Sequence, residues 1–334
     1  MRNFQILTDR VADLPESWVK AHDYVTVVDT PIIISGTHEL TLHNLSADDF
    51  DQVEYYVKKC KDRATTSQPQ VFDPDEENRF SVESLTRKYV REGKDVIYVA
   101  MNSSLSGTYN TVSVLYDEIR DWAKEQGRQI LCVDSRCMST GLALLFLEIA
   151  LNIEAGYFTT INDISDFVIQ ERGHIGHFFT WGELSYIKLS GRVDSVRALI
   201  GTILGIRLMC SAQYVDNGSV RKLEHINPHA MLRGVGKFAD ALGIYARKHI
   251  SNPRGPIIIA HGNDPRSASI VEQHLRKYLP DANYLIGDEW RCGAGIQVHG
   301  GPTSLHINFR TDNVGYLSET IEEMERIIRE MRIK

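Results

Sequence analysis

The first half of the chain alternates short apolar runs with amphipathic stretches. The apolar runs predict strands at residues 4–8, 24–28, 31–34, 96–100 and 130–133. The intervening segments repeat apolar residues at helical spacing and predict helices at residues 15–21, 46–60, 75–92, 107–126 and 138–155. Strands that alternate with helices in this way are typical of an α/β layer, a mostly parallel sheet with helices on both faces.

The second half has longer apolar runs and one hairpin signal. In the segment CSAQYVDNGSVRKLEHI, Asp216, Asn217 and Gly218 supply the turn chemistry of a tight hairpin. The pattern after it predicts a helix at residues 228–249, a strand at 256–260, a helix at 266–278, strands near 284–286 and 304–309, and an amphipathic helix from Leu317. A hairpin combined with helix-flanked strands predicts a mixed sheet with helices.

The length of 334 residues suits two domains. The pattern changes character near residues 160–175, so we expect one α/β domain at residues 1–165 and a second at residues 166–334. We find no internal repeat and no low-complexity segment.

Composition and charge narrow the possible partners. The chain has 37 basic and 44 acidic residues and a net charge of −7, which argues against nucleic acid as a partner.

The apolar segment MSTGLALLFLEIAL contains Glu148 and falls short of the roughly 20 residues that a membrane-spanning helix needs, so it predicts a buried helix and no membrane anchor. The five cysteines form no C-x-x-C pair, which indicates neither a disulfide framework nor a zinc site. Without a signal peptide at the N-terminus, we expect the protein in a reducing cytoplasm.

Two clusters of hydroxyl residues are candidates for binding an anion. In AMNSSLSGTY, Ser103, Ser104 and Ser106 follow a strand and precede a helix, where free backbone N–H groups favour negative charge. Capping of the helix N-terminus alone would need only one serine, so three serines together favour a bound ligand. The second cluster, TTSQP, contains Thr66 and Ser67. Because strand ends in an open α/β sheet face one crevice, the two clusters together could form a cradle for a carboxylate or a phosphate.

Several motifs occur together in a characteristic order. They are ILTDRVADLP, TTSQP, NSSLSGTYNT, VDSRCMSTGLALL, LSYIKLSGRVD, LGIRLM, IIIAHGNDPRSA and VHGGP. In order and spacing they resemble the DegV family of bacterial fatty-acid-binding proteins over about residues 3–310. The resemblance implies two α/β domains that enclose one long-chain fatty acid between them, with its acyl chain in a buried tunnel. It also implies no cofactor and no catalysis by this chain, which would present the fatty acid to a separate kinase that makes the acyl phosphate.

The resemblance also assigns site residues. The fatty-acid carboxylate would be held by Thr66, Ser67, Ser103, Ser104 and His261. Arg192 would lie where the kinase docks. Candidate walls of the tunnel are VRALIGTILGIRLM and LALLFLEIAL.

The chain departs from the family pattern in places. Arg10 stands where serine is usual, Leu208 replaces a common proline, and Thr303 replaces a glycine. These differences affect local loop shape and could change the preferred chain length. Residues 311–334 extend past the usual family end, where a terminal helix suits a solvated cap or an oligomer contact.

Other functions are weighed against fatty-acid binding. A serine hydrolase or acyltransferase acting on a lipid ester would use Ser104 or Ser106 as the nucleophile and His261 as the base, but the chain lacks the G-x-S-x-G motif.

The spacing of the histidines argues against a metal site. Those of HELTLH miss the metal-binding H-E-x-x-H spacing, and His174 and His177 would point to opposite sides of a strand. GAGIQV lacks the third glycine of a dinucleotide loop. The remaining alternative function is that of a scaffold protein that binds no ligand.

Overall fold

A computed structural model describes residues 3–34, 37–40, 50–60, 65–190, 206–211, 227–312 and 317–333. Its strands are β1 (Phe4–Asp9), β2 (Val25–Val28), β3 (Ile32–Ile34), β4 (Thr37–Leu40), β5 (Thr65–Ser67), β6 (Asp95–Ala100), β7 (Ile130–Asp134), β8 (Ile175–Trp181), β9 (Ile206–Ser211), β10 (Asn227–Arg233), β11 (Pro256–His261), β12 (Asn283–Arg291) and β13 (Leu305–Arg310). Its α-helices are α1 (Glu16–Ala21), α2 (Phe50–Cys60), α3 (Val82–Arg91), α4 (Thr108–Glu125), α5 (Ser139–Glu154), α6 (Ile161–Glu171), α7 (Leu184–Ser190), α8 (Val235–His249), α9 (Pro265–Leu275), α10 (Ala294–Gly300) and α11 (Leu317–Ile333).

The first sheet is parallel throughout, in the order β2-β1-β6-β7. Every residue of β1 is buried, as expected of a strand covered on both faces. On one face Leu7 and Tyr98 pack in a cluster that includes residues of α3 and α4. On the other face Ile6 and Ile97 pack in a cluster that includes residues of α5 and α6. The predicted parallel sheet with helices on both faces is confirmed.

The second sheet is mixed, in the order β10-β9-β8-β13-β11-β12. β11 and β12 are parallel, and the other neighbouring strands are antiparallel. One face packs against α8, α9 and α11, and the other contributes to the cluster that contains α5. The predicted mixed sheet is confirmed, with β9 and β10 paired antiparallel. The predicted turn at residues 216–218 lies outside the described residues.

Helix α5 connects the two sheets. Most of its apolar residues, among them Leu142, Leu144, Leu145 and Phe146, are fully buried on all sides of the helix, which is typical of a helix inside a core. Leu151, near its C-terminal end, is exposed. They belong to one apolar cluster with residues of β1 and β6 from the first sheet and of β8 and β11 from the second. The prediction that this apolar segment is a buried helix is confirmed.

The predicted division of the chain at residue 165 falls inside α6. The strands of the parallel sheet all lie before that residue, and the strands of the mixed sheet all lie after it. The apolar cluster around α5 nevertheless contains residues from both parts. The two-domain boundary stays a prediction.

The helix predicted at residues 75–92 begins only at Val82. A loop precedes it because Asp73 holds the chain in place: its Oδ2 atom accepts hydrogen bonds from Asn78 N at 2.9 Å, Ser81 Oγ at 3.1 Å and Ser84 Oγ at 2.6 Å. The Ser81 hydroxyl accepts a hydrogen bond from Ser84 N and caps the helix. The prediction for residues 75–81 is wrong.

The helix predicted at residues 228–249 also begins late. Residues 227–233 form β10 and pair with β9, which satisfies their backbone groups without a helix. Gly234 then adopts a φ of +79°, a conformation that glycine tolerates, and α8 begins at Val235. The prediction is wrong for residues 228–234 and correct after them.

The hydroxyl segment TTSQP lies between two predicted helices and taken alone predicts a turn, which is wrong for its first part. Thr65–Ser67 is a short strand in an antiparallel sheet of order β4-β3-β5, with Ile33 opposite Thr66. The pattern predicted β3, at residues 31–34, but did not predict β4 or β5, which are four and three residues long. The sheet places Ser67 near α10.

Candidate lipid-binding site

An apolar cavity of about 70 Å³ is lined by residues from both halves of the chain. Its apolar side chains are Val11, Met101, Leu105, Met138, Trp181, Ile187 and Ile296. Its polar side chains are Ser67, Ser106, His299 and His306. Mostly apolar walls with a few polar groups are typical of a site that binds a hydrophobic ligand with one oriented polar end.

The cavity is smaller than the roughly 300–1,000 Å³ usual for small-molecule sites. Met101 and Met138 are unbranched and adaptable, so rotamer changes in these two walls would lengthen the space. Of the predicted tunnel walls, residues 142–151 pack within α5 and do not line this cavity. Residues 196–205 lie outside the described residues. The buried tunnel stays a prediction.

The structure brings one member of each hydroxyl cluster to this cavity. Ser67 is the last residue of β5, and Ser106 lies two residues before α4. Ser106 Oγ is 2.9 Å from Thr108 Oγ1 and accepts a hydrogen bond from Thr108 N at 3.3 Å. One residue of each cluster therefore lines the same cavity, although Ser67 comes from the small antiparallel sheet and not from the edge of the parallel one.

The other predicted hydroxyl residues have different surroundings. Ser103 Oγ donates to Asp134 Oδ2 at 2.6 Å, and Ser104 Oγ donates to Asn102 Oδ1 at 2.5 Å. Thr66 is exposed on β5. None of the three lines the cavity. Because a hydroxyl has one hydrogen, each serine would have to exchange its present acceptor in order to donate to a carboxylate.

His261 lies apart from these serines. It ends β11 and does not line the cavity, although it is only 2% exposed. Neither ring nitrogen has a hydrogen-bond partner among the described residues. Burial, with the Arg291 guanidinium nearby, lowers the pKa of His261. Its predicted role stays a prediction, and Arg192 lies outside the described residues.

The geometry also bears on the alternative functions. Within the described part of the chain, no hydrogen bond joins Ser104 or Ser106 to His261, so the serine–histidine pair of a hydrolase is not formed. The ranges that the structure describes contain no group of three or more His, Cys, Asp or Glu residues placed to hold a metal ion.

A second cavity of about 310 Å³, which we call the polar cavity because several charged residues form part of its wall, lies beside the first. Its walls include Asp9, Arg10, Asp13 and Arg291. Gly295 lines both cavities, and a Cβ atom on it would lie 2.9 Å from Val11 Cγ1. The close approach of α10 to the 3-10 turn at Arg10–Ala12 therefore requires glycine at this position.

Two buried carboxyl groups of the polar cavity have unusual acidity. Burial raises the pKa of both Asp9 and Asp13 to about 7. Asp13 Oδ2 accepts from Ser139 Oγ at 2.6 Å, and Asp13 Oδ1 accepts from Gly293 N at 2.8 Å. Asp13 thus fastens the start of α5 and the start of α10 to the 3-10 turn, and α10 forms part of the apolar cavity.

The sequence analysis did not predict several residues of the site. Ser106 belongs to the predicted anion-binding cluster, but the resemblance does not assign it to the carboxylate, and it gives His299 of VHGGP no role. His306 lines the cavity because it faces α5 from β13. The alternation in LHINF would have put His306 and Asn308 on one face, but which face is covered depends on the neighbouring strands.

The sequence matches the DegV family, whose description is of uncharacterised proteins, over residues 3–311. A DegV domain-containing protein of Clostridium perfringens is 28% identical over 319 residues, which cover 93% of this chain and 99% of that protein.

Solved structures show the same fold. DegV of Bacillus subtilis, described as a fatty acid binding protein, is 18% identical with a TM-score of 0.68 and covers 93% of this chain and 100% of its own. A stearic-acid-binding protein of Eubacterium ventriosum is 19% identical with a TM-score of 0.69, over 92% of this chain and 98% of its own. Among the described residues, no helix is both long and apolar enough to cross a membrane. The extent of the family match, from residue 3 to residue 311, places this chain in the DegV family.

Proposed function

We propose that this protein binds one long-chain fatty acid and presents its carboxylate to a separate kinase. The observation that carries the proposal is the apolar cavity where Ser67 and Ser106, one from each hydroxyl cluster, come together. Proteins of the same fold from Bacillus subtilis and Eubacterium ventriosum are described as binding fatty acids. The acyl chain would contribute about 0.8 kcal/mol for each buried CH₂ group, so apolar walls suffice for affinity.

Hydroxyl donors suit the proposed chemistry. A carboxylate held by neutral hydroxyl and backbone N–H groups forms charge-assisted hydrogen bonds and keeps one oxygen accessible. That oxygen would attack the terminal phosphorus of ATP on the kinase, forming the acyl phosphate as ADP leaves. Ser67 and Ser106 are the donors that the cavity favours, while Thr66, Ser103, Ser104 and His261 remain proposed neighbours of the carboxylate.

Matched substitutions within each cluster test the carboxylate site. We expect Ser67→Ala and Ser106→Ala each to weaken binding of stearic acid by roughly ten- to a hundredfold, because each removes a hydrogen bond to a charged group worth about 1.5–3 kcal/mol. Thr66→Val and Ser104→Ala change adjacent hydroxyls that do not line the cavity and should have smaller effects. Titration calorimetry and native mass spectrometry measure the affinity and the amount of retained lipid. If wild-type protein binds no fatty acid, or if all four variants bind like wild type, the assignment fails.

Arg192→Ala tests presentation to the kinase. Its planar guanidinium is suited to a phosphate or to an acidic partner surface in a way that lysine is not. We expect the variant to retain bound fatty acid and to lose acyl-phosphate formation when a fatty acid kinase catalytic subunit and ATP are added. Arg120→Ala, which removes a 63% exposed arginine paired with Asp117, is the control and should react at the wild-type rate. A wild-type rate for Arg192→Ala would contradict the proposed role.

A further inference from the structure

Two buried histidines lie side by side on neighbouring strands. His177 of β8 and His306 of β13 are 2% and 1% exposed, and His177 Nε2 is 3.3 Å from His306 Nδ1. Both rings face the α5 side of the mixed sheet, where the His306 ring stacks on Phe179 with centroids 5.6 Å apart. The pair therefore joins the interior of the sheet to the wall of the apolar cavity, which His306 lines.

The polar groups continue behind this pair to α5. Asn308, the next inward residue of β13, donates from Nδ2 to Thr140 Oγ1 at 2.6 Å. Gly141 follows Thr140, and a Cβ atom there would lie 2.9 Å from Asn308 Oδ1 and 3.0 Å from His177 Nδ1. Because glycine leaves this space, α5 approaches the polar side chains closely. A continuous polar row thus runs from α5 to the cavity wall.

This row has unused hydrogen-bonding capacity. Among the described residues, His306 Nε2, His177 Nδ1 and Asn308 Oδ1 have no hydrogen-bond partner. Buried polar atoms without partners destabilise a fold, and they are rare unless a ligand or another function uses them. Three such atoms in one row, beside a cavity whose walls are otherwise mostly apolar, indicate recognition rather than packing.

The histidines are uncharged at neutral pH. Burial lowers the pKa of His306 to about 3, and burial together with His306 lowers the pKa of His177 well below its usual value. Neutral imidazoles do not supply the positive charge that a carboxylate prefers. In each ring one nitrogen donates and the other accepts, so the pair can present either a donor or an acceptor at His306 Nε2. A hydroxyl group, which both donates and accepts, matches either arrangement.

We propose that the fatty acid bound by this protein carries a hydroxyl group on its acyl chain and that His306 hydrogen-bonds this hydroxyl. The inference rests on the proposed fatty-acid function and specifies its substrate class. In this proposal Ser67 and Ser106 hold the carboxylate, and His306 holds the hydroxyl group of the chain. His177 supports His306 by fixing the ring through the bond between them. An acyl chain without a hydroxyl group leaves His306 Nε2 without a hydrogen-bond partner when it fills the cavity.

Competition between stearic acid and its hydroxylated forms tests the proposal. Wild-type protein is equilibrated with equal amounts of stearic acid and one of 3-, 10- or 12-hydroxystearic acid, and native mass spectrometry counts the two complexes. We expect at least one hydroxylated isomer to bind about tenfold more tightly than stearic acid, the preference that one neutral hydrogen bond supplies. Equal binding of stearic acid and every hydroxylated isomer overturns the inference while leaving the proposed function intact. Binding of none of the acids means that the proposed function itself fails.

His306→Phe identifies the residue responsible. Phenylalanine keeps the aromatic ring beside Phe179 and removes both nitrogens. We expect the variant to lose the preference for the hydroxylated acid over stearic acid to within about twofold. His274→Phe is the matched control, because His274 lies on α9 away from the cavity and is 26% exposed; it should keep the preference. A preference retained by His306→Phe overturns the role of His306. The wild-type competition decides the ligand class even if the variant does not fold.

Discussion

Substitution of Gly262 by alanine is expected to lower the free energy of unfolding by about 3 kcal/mol. A Cβ atom on Gly262 would lie 2.7 Å from Pro302 O and 2.8 Å from Gly301 O. These are backbone atoms, so no side-chain rotation relieves the contact. The same segment is held by hydrogen bonds from Gly262 N to Ser304 O at 2.9 Å and from Asn263 N to Pro302 O at 2.5 Å. The added methyl group must therefore separate the end of β11 from the loop that precedes β13.

Urea denaturation followed by circular dichroism measures this effect. Gly107→Ala is the matched control, because no atom lies within 4 Å of its Cβ position and its φ is −72°. We expect the control to change the free energy of unfolding by no more than about 0.5 kcal/mol. A loss of less than about 1 kcal/mol in Gly262→Ala would mean that the loop moves aside readily.

The parallel layer of the fold could be predicted from the sequence because burial on both faces produces continuous apolar runs. The segment ILTD and the segment DVIYVA are both buried almost completely, and their apolar runs appear directly in the sequence. Helix α5 could be predicted for the same reason. Local composition was sufficient to predict a strand or helix wherever the surroundings of that element were uniformly apolar.

The errors occur where distant residues decide the local structure. Residues 227–233 have a helix-compatible composition and become a strand because β9 is available as a partner. Residues 75–81 stay in a loop because the Asp73 carboxylate accepts several hydrogen bonds there. Neither partner can be identified from the segment itself.

The candidate site was predictable at the level of clusters and not of single residues. Each hydroxyl segment contributes a residue to the same cavity, but strand alternation in β5 turns Ser67 toward the cavity and leaves Thr66 exposed. The hydrogen bonds from Ser103 to Asp134 and from Ser104 to Asn102 depend on the shape of the loop after β6. Such choices are set by tertiary contacts that the spacing of residues does not contain.

The acidity of Asp13 could not be foreseen either, and it leads to the second large prediction. We expect Asp13→Asn to stabilise the protein at pH 7.5 relative to wild type and to have little advantage at pH 4. Burial raises the pKa of Asp13 from 3.8 to about 7, so the folded state keeps its proton between these values while the unfolded state loses it. The stability due to this proton is fully present below about pH 3.8 and is lost as the pH rises to about 7. Asparagine does not ionise, so the variant does not lose this stability as the pH rises.

The shape of asparagine also fits the site. Its Oδ1 can accept from Gly293 N, as Asp13 Oδ1 does at 2.8 Å, and its Nδ2 can donate to Ser139 Oγ. Asp13 has a φ of +48°, a left-handed conformation in which asparagine is also favoured. The substitution therefore changes the ionisation of the side chain more than its contacts.

The difference in free energy of unfolding between Asp13→Asn and wild type isolates this group from the others that titrate. The charged and titratable groups around the cavity are Asp9, Arg10, Glu16, Lys20, Asp288, Glu289, Arg291 and Cys292. Their contributions are largely common to both proteins, although the charge on Asp9 also raises the pKa of Asp13. We expect the difference to grow by on the order of 3 kcal/mol between pH 4 and pH 7 and to level off above that.

Urea titrations at half-unit pH intervals measure this difference. Asp117→Asn, which changes a 66% exposed carboxylate, is the control and should give a difference that hardly varies between pH 5 and pH 8. A difference for Asp13→Asn that is flat from pH 4 to pH 7 would mean that the folded protein ionises Asp13 as readily as the unfolded chain does. In that case water or a nearby cation must reach the carboxylate, and Asp13 would fasten α10 to the 3-10 turn as a charged group rather than as a neutral one.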